Sequence, residues 1–181
     1  MSSQHPDLER AIAFHGHFCM GLAIGYRASQ IALRELKVSR ASDEELVAVV
    51  YTASCAADAV QVLTGCTFGK GNLFFKDYGK HTYLFARRGE GRALRVALRH
   101  GSRPPSGGGQ ALLAMAEEEV FKVEWVPFKL PPSAEIYPTL QCASCGEGVM
   151  EPRARLRQGK VICLECAQKS GWLEASQPRV T

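Results

Sequence analysis

NLFFKDYGKHTYLFARRGEGRALRVAL, residues 72–98, breaks into three runs of strand-forming residues separated by turn chemistry. Asn72–Lys76, His81–Arg87 and Arg92–Leu98 are rich in aromatic and branched side chains, and Asp77-Tyr78-Gly79-Lys80 and Gly89-Glu90-Gly91 supply the turns. Connections this short join antiparallel neighbours, so a mainly antiparallel sheet is expected. Upstream, Leu46–Tyr51 is a continuous apolar run short enough for a buried strand, and downstream Lys122–Phe128 reads as a closing strand. Helical patterns cover Pro6–Phe14, Met20–Leu36, Cys55–Thr64 with Gly65 as its cap, and Gln110–Phe121. In the second of these, Gly21, Gly25 and Ser29 recur every four residues, which lets another element approach the backbone closely. Four prolines between Pro127 and Pro138 mark a linker. The expected organisation is a core over 1–130, a linker over 131–139, a cysteine-rich unit over 140–170 and a flexible tail over 171–181.

The chain has 181 residues, 46% hydrophobic and 22% charged, which is globular composition. No run of about 18 apolar residues occurs, so no membrane-spanning helix is expected. The first residues lack the basic and apolar regions of a secretory signal, and a cytoplasmic location is the expectation. A net charge of +4 is too small to argue for nucleic acid as a partner. The local exception is Arg87 to Arg103, where six arginines face one acid, Glu90. That stretch reads as a solvated strand face or as a contact site for an anion or acidic partner.

Seven cysteines are many for a reducing compartment, and there they point to metal or reactivity rather than disulfides. Cys142-x2-Cys145 and Cys163-x2-Cys166, with seventeen residues between Cys145 and Cys163, have the spacing of a four-thiolate site. A unit of some 40 residues has little core of its own, so metal binding would supply folding energy. Four thiolates suit structural zinc, or iron, and leave no open coordination position.

A second group is less familiar. In His15-Gly16-His17-Phe18-Cys19, an extended backbone would send His15, His17 and Cys19 to one side, just before a helix. Histidine and cysteine together are good ligands for transition metals; the bland alternative is a helix-capping histidine beside a buried cysteine. Cys55 also starts a helix, with Asp58 on its face three residues on. Thr64–Asn72 is glycine-rich but lacks the spacing and the Ser or Thr of a phosphate loop, and it follows a helix instead of opening one. It reads as a loop presenting Cys66, Thr67 and Lys70 to a pocket, or as a plain turn holding a buried cysteine.

These residues carry a resemblance. His15-Gly16-His17-Phe18-Cys19-Met20-Gly21-Leu22, Cys55-Ala56-Ala57-Asp58-Ala59-Val60-Gln61, Thr64 to Leu73 and Asp77-Tyr78-Gly79-Lys80 resemble the FmdE family, named for a gene in the operon of molybdenum or tungsten formylmethanofuran dehydrogenase. The resemblance runs from about Glu9 to Val123, and the ribbon is similar to the one many members carry. Where the family usually has Cys-Pro-Gly, this chain has Cys19-Met20-Gly21, which frees the backbone at the start of the helix. The resemblance implies an α+β core, with helices packed on a mainly antiparallel sheet, followed by a small four-cysteine zinc ribbon, in an intertwined homodimer. It also implies a pocket where the His-Gly-His-x-Cys segment meets Cys55, around a metal.

The resulting expectation is a metal-binding accessory protein of molybdenum or tungsten oxidoreductase systems, with two kinds of site. Zinc would sit on Cys142, Cys145, Cys163 and Cys166, and a second transition metal on His17, Cys19 and Cys55, with His15 and Cys66 as alternatives. Asp58 would orient a histidine, and Lys70, with Thr67 beside it, would hold an anionic ligand. One rival makes the pocket catalytic, with Cys19 or Cys55 as nucleophile and His17 or His15 as its base, or with an open metal position. The other is a protein- or nucleic-acid-binding module using Arg87–Arg103 and the alternate Arg153, Arg155 and Arg157 of the ribbon.

Overall fold

The computed structural model describes residues 6–104 and 106–173. The chain divides into two units, the first ending at Ala134 and the second beginning at Glu135. The tail expected over 171–181 lies, from residue 174 onward, outside the described residues.

The first unit is built on a five-stranded sheet of order β2-β1-β3-β4-β5. The strands are β1 (Leu46–Val50), β2 (Leu73–Phe75), β3 (Thr82–Arg87), β4 (Arg92–Leu98) and β5 (Phe121–Pro127). All pairings are antiparallel except β1 with β2, which is parallel. The fold is therefore α+β on a mainly antiparallel sheet. The helices are α1 (Pro6–His15), α2 (Met20–Leu36), α3 (Cys55–Thr64), α4 (Gly108–Ala114) and α5 (Glu117–Val120).

Two details correct the sequence reading. First, β2 does not form a hairpin with β3: β1 lies between them, and α3 provides the crossover that a parallel β1–β2 pair requires. Second, the expected helix over Gln110–Phe121 is two short helices. Met115 and Ala116 are extended, with ψ of 153° and 144°. The break has a partner far away in sequence: Arg27 on α2 donates Nη1 to the Leu112 and Met115 carbonyls at 2.8 and 2.7 Å, satisfying groups that end the first helix.

Every residue of β1 is buried, as a central strand covered on both faces requires. On the helix side, Leu46, Ala48 and Val50 join Tyr83, Phe85, Leu94 and Val96 against Ile24, Ala28, Ile31 and Val60 of α2 and α3. On the other side, Val49, Leu84 and Ala86 pack with Phe128 and Leu130, which follow β5. Arg88 fixes that returning segment, bonding Glu44 and the Pro131 carbonyl, both at 2.8 Å.

Helices α2 and α3 meet through the small-residue stripe. A Cβ on Gly25 would lie 2.2 Å from the Ala56 carbonyl oxygen and 2.6 Å from its Cα. One on Gly21 would lie 3.0 Å from the Cys55 Cβ. The missing side chains let α3 lie on α2 with Cys55 beside the start of α2.

The second unit contains two hairpins. The strands β6 (Thr139–Gln141) and β7 (Gly148–Met150) pair antiparallel, as do β8 (Ala154–Arg157) and β9 (Lys160–Cys163), and helix α6 (Leu164–Lys169) follows. The β8–β9 turn holds Gln158 and Gly159 at φ of 51° and 75°, the pair of left-handed residues that a tight hairpin favours.

Candidate functional site

In the second unit, the loop between β6 and β7 carries Cys142 and Cys145, while Cys163 ends β9 and Cys166 lies in the first turn of α6. The four sulfur atoms lie within 4.8 Å of one another. Cys145 Sγ and Cys163 Sγ are 3.9 Å apart, against an edge of about 3.8 Å for a tetrahedron with metal–sulfur bonds of about 2.3 Å. Backbone N–H groups turn toward the sulfurs: Cys163 N donates to Cys142 Sγ at 3.3 Å, and Cys166 N to Cys163 Sγ at 3.4 Å. Amides of Cys145 and Cys163 hold the Cys142 thiol below its ordinary value. The donor set, its closure and the N–H···S bonds fit zinc.

In the first unit, His15 ends α1, Gly16 turns the chain at a φ of +97°, and Cys19 caps α2 in an extended conformation. The segment is thus not the extended run expected from sequence. His15 is helical, and the left-handed turn at Gly16, which only glycine adopts freely, folds His17 and Cys19 back toward it. The ligand atoms of His15, His17 and Cys19 lie within 4.8 Å of one another, and the two imidazole rings are 4.6 Å apart.

Asp58, one turn into α3, places Oδ2 at 2.7 Å from His15 Nδ1. A carboxylate there accepts the Nδ1 proton, leaving the Nε2 lone pair free to face Cys19 Sγ at 3.9 Å. Gln61 donates to the other Asp58 oxygen at 3.4 Å, and Leu22 N–H donates to Cys19 Sγ at 3.3 Å. Cys55 adjoins Cys19, and burial followed by that neighbouring thiol pushes the Cys55 thiol up, which keeps it protonated in the absence of a cation.

The remaining residues singled out from sequence lie elsewhere. Cys66 is fully buried, donates to the Leu46 carbonyl at 3.3 Å and is pushed up by burial to about 11. It is a core thiol and not part of the His/Cys group. Lys70 Nζ is tied to the carbonyls of Ala41 and Ser42 at 3.1 and 3.4 Å, and the Thr67 hydroxyl accepts from Lys70 N. Their loop is closed by Asn72, a fully buried side chain that bonds Thr67 N, the Asp43 carbonyl and the Leu46 carbonyl. In the ribbon, Arg153 is in a 3-10 turn, Arg155 bonds the Pro152 and Ala154 carbonyls, and Arg157 stacks over Trp172. These three arginines do not form one free basic stripe.

Sequence reading missed Gly109. A Cβ there would fall 2.8 Å from the Phe18 ring and 3.1 Å from the Cys19 carbonyl, so α4 seats Phe18 and steadies the segment between the ligands. The only signal was a glycine run that reads as a loop.

A mainly antiparallel α+β unit with a His/Cys group at its helix ends, followed by a closed four-cysteine unit, defines a protein with a metal-binding cysteine cluster. The chain belongs to the FmdE family, whose profile, described as "FmdE, Molybdenum formylmethanofuran dehydrogenase operon", matches residues 14–122. A profile described as "Prokaryotic dksA/traR C4-type zinc finger" matches residues 135–170, over the cysteine cluster. A curated relative from Archaeoglobus fulgidus, named "Probable S-adenosyl-L-methionine-binding protein", is 32% identical over 195 residues, covering 88% of this chain and 52% of the relative. The chain thus spans about half the length of that relative. A solved structure from Syntrophus aciditrophicus, described as a "tungsten formylmethanofuran dehydrogenase subunit e (fmde)-like protein", superposes with a TM-score of 0.70 over 92% of each chain. At 24% identity, that likeness speaks to the fold.

Proposed function

We propose that the chain is a cytoplasmic metal-binding accessory protein of molybdenum or tungsten formylmethanofuran dehydrogenase-type systems. It works as a homodimer beside an oxidoreductase partner, with zinc in the ribbon and a second transition metal held by His15, His17 and Cys19. The observation that carries the second site is the line Asp58–His15–Cys19. The 3.9 Å between His15 Nε2 and Cys19 Sγ lies at the long end of a sulfur–nitrogen hydrogen bond. It comes within about 0.3 Å of the roughly 3.6 Å edge set when nitrogen and sulfur share one tetrahedral metal. The spacing therefore suits shared ligation of one metal, and the third ligand, His17, beside the pair supports that reading.

In this reading Asp58 fixes the His15 tautomer, Leu22 N–H steadies the Cys19 sulfur, and Cys55 stands by as a further thiol. Three protein ligands favour a second reading as an enzyme, because a metal so held supplies an open position for water or substrate. The archaeal relative's name adds S-adenosyl-L-methionine as a ligand to try in the same titrations.

Cobalt(II) titration of the full chain, its ribbon first filled with zinc, tests the proposal. A sulfur-to-cobalt charge-transfer band that is lost in Cys19→Ser and kept in Cys66→Ser supports the core site. Absence of any cobalt spectrum once the ribbon is filled refutes it.

A further inference from the structure

The arginine excess noted in the sequence converges on a cavity that the metal centres do not use. Its volume is about 580 Å³, and its lining includes Lys80, His81, Arg95, Arg99, His100 and Arg103, from the turn before β3, from β4 and from the loop beyond it. Among the described residues, no acidic side chain lines it. Among the described residues, the carboxylate that reaches these cations is Glu124, which bonds Arg95 at 2.8 Å and is shared with Lys122 at the same distance. Four permanent cations around one cavity, set against one shared carboxylate, repel one another and attract an anion.

Part of this wall is pre-set. Arg99 uses Nε on the Glu118 and Phe121 carbonyls, at 2.9 and 3.2 Å, which fixes the plane of its guanidinium. Arg103 places a terminal nitrogen 3.2 Å from His81 Nε2. A guanidinium only donates, so Nε2 must accept, and His81 Nδ1–H then donates to the buried Tyr83 hydroxyl at 3.0 Å. Burial, and then the charge of Arg103, lower the His81 pKa and so keep the ring neutral in this role. Arg103 is thereby anchored to the core through His81 and Tyr83.

We infer that this cavity binds a small molecule through a dianionic tetrahedral oxoanion group such as phosphate. Guanidinium forks match the oxygen spacing of phosphate and sulfate groups and bind them in pairs. The volume exceeds what a bare oxoanion fills and falls in the range of small-molecule sites, and Ala97 and Leu98 add apolar wall for the remainder of a ligand.

Equilibrium dialysis of the full, zinc-loaded chain against radiolabelled inorganic phosphate at low ionic strength tests the inference. One saturable site per chain is expected, weakened about tenfold by Arg103→Gln, the size of one lost charged hydrogen bond. Lys80→Gln should weaken it several-fold, whereas Arg87→Gln, which removes the same charge outside the cavity, should not. Competition by glycerol 3-phosphate distinguishes the source. A tenfold advantage over phosphate indicates an organic phosphate, and parity indicates the free anion. Arg103 and Lys80 are exposed, so their variants keep the core, and circular dichroism verifies it. Absence of saturable binding, or equal loss in Arg87→Gln and Arg103→Gln, overturns the inference.

Discussion

Replacing Gly25 with alanine probes the contact that brings the two halves of the His/Cys group together. On an ordinary exposed helix this change stabilises by about 0.5–1 kcal/mol, because glycine loses more backbone freedom on folding. Here the added Cβ would stand 2.2 Å from the Ala56 carbonyl oxygen, and real Cβ contacts essentially never fall under 3.0 Å. The helices must therefore separate by about 0.8 Å, against backbone atoms that no rotamer change can move aside. Overpacking of this kind costs about 1–3 kcal/mol, and the rigid neighbour places Gly25→Ala at the upper end, for a net destabilisation of about 2 kcal/mol. Urea unfolding followed by circular dichroism measures it as a lower midpoint at unchanged slope. Because α3 carries both Cys55 and Asp58, the same variant should also weaken metal binding at His15, His17 and Cys19. A variant as stable as the parent, or more stable, would refute the close α2–α3 approach and with it the account of how Cys55 reaches Cys19.

Other consequences are independent of that contact. Asp58→Asn removes the carboxylate behind His15 and should lower the affinity of the core site for cobalt about 10–100-fold, read by chelator competition, while the ribbon keeps its metal. The hydrogen bond from Arg34 holds the Glu117 carboxyl below its ordinary value of 4.5, so the pair adds stability above that pH and loses it as the pH falls through the folded value. Arg34 is 57% exposed and the contribution is at most about 1 kcal/mol; urea midpoints of the parent and Arg34→Met should differ at pH 7 and converge in acid. Stripping the ribbon with a chelator should expose residues after 134 to limited proteolysis and leave the first unit protected, since the thiolate site supplies the folding energy of the second. Protection that survives chelation would contradict this.

Much of the fold was legible where a pattern is local. Leu46–Val50 is buried on both faces and so reads as an unbroken apolar run, and α3 ends at Gly65 in the left-handed conformation that a glycine cap announces. Strand order was not legible. The turn chemistry of Asp77–Lys80 suggests a hairpin, but pairing is decided by β1, whose Ala48, Val49 and Val50 align with Leu73, Phe74 and Phe75. The split between α4 and α5 depends on Arg27, more than 80 residues away in sequence, and no local propensity reports it. The candidate site shows the same division. The spacing of His15, His17 and Cys19 marks them as a group, and the cysteine pairs mark the ribbon. The Asp58–His15 bond spans 43 residues and exists only because α1 and α3 pack together. The excess of arginine over Arg87–Arg103 was visible, but its concavity, with His81 tying Arg103 to Tyr83, is a property of the folded sheet.

The most direct test of two metal centres is elemental analysis of untagged protein purified without chelators, counting metal per chain. Two equivalents are predicted in the parent. One should remain when Cys19 and Cys55 are replaced by serine, and one should be lost in Cys142→Ser. A single equivalent, abolished by Cys142→Ser and untouched by Cys19→Ser, would contradict a metal at the His/Cys group.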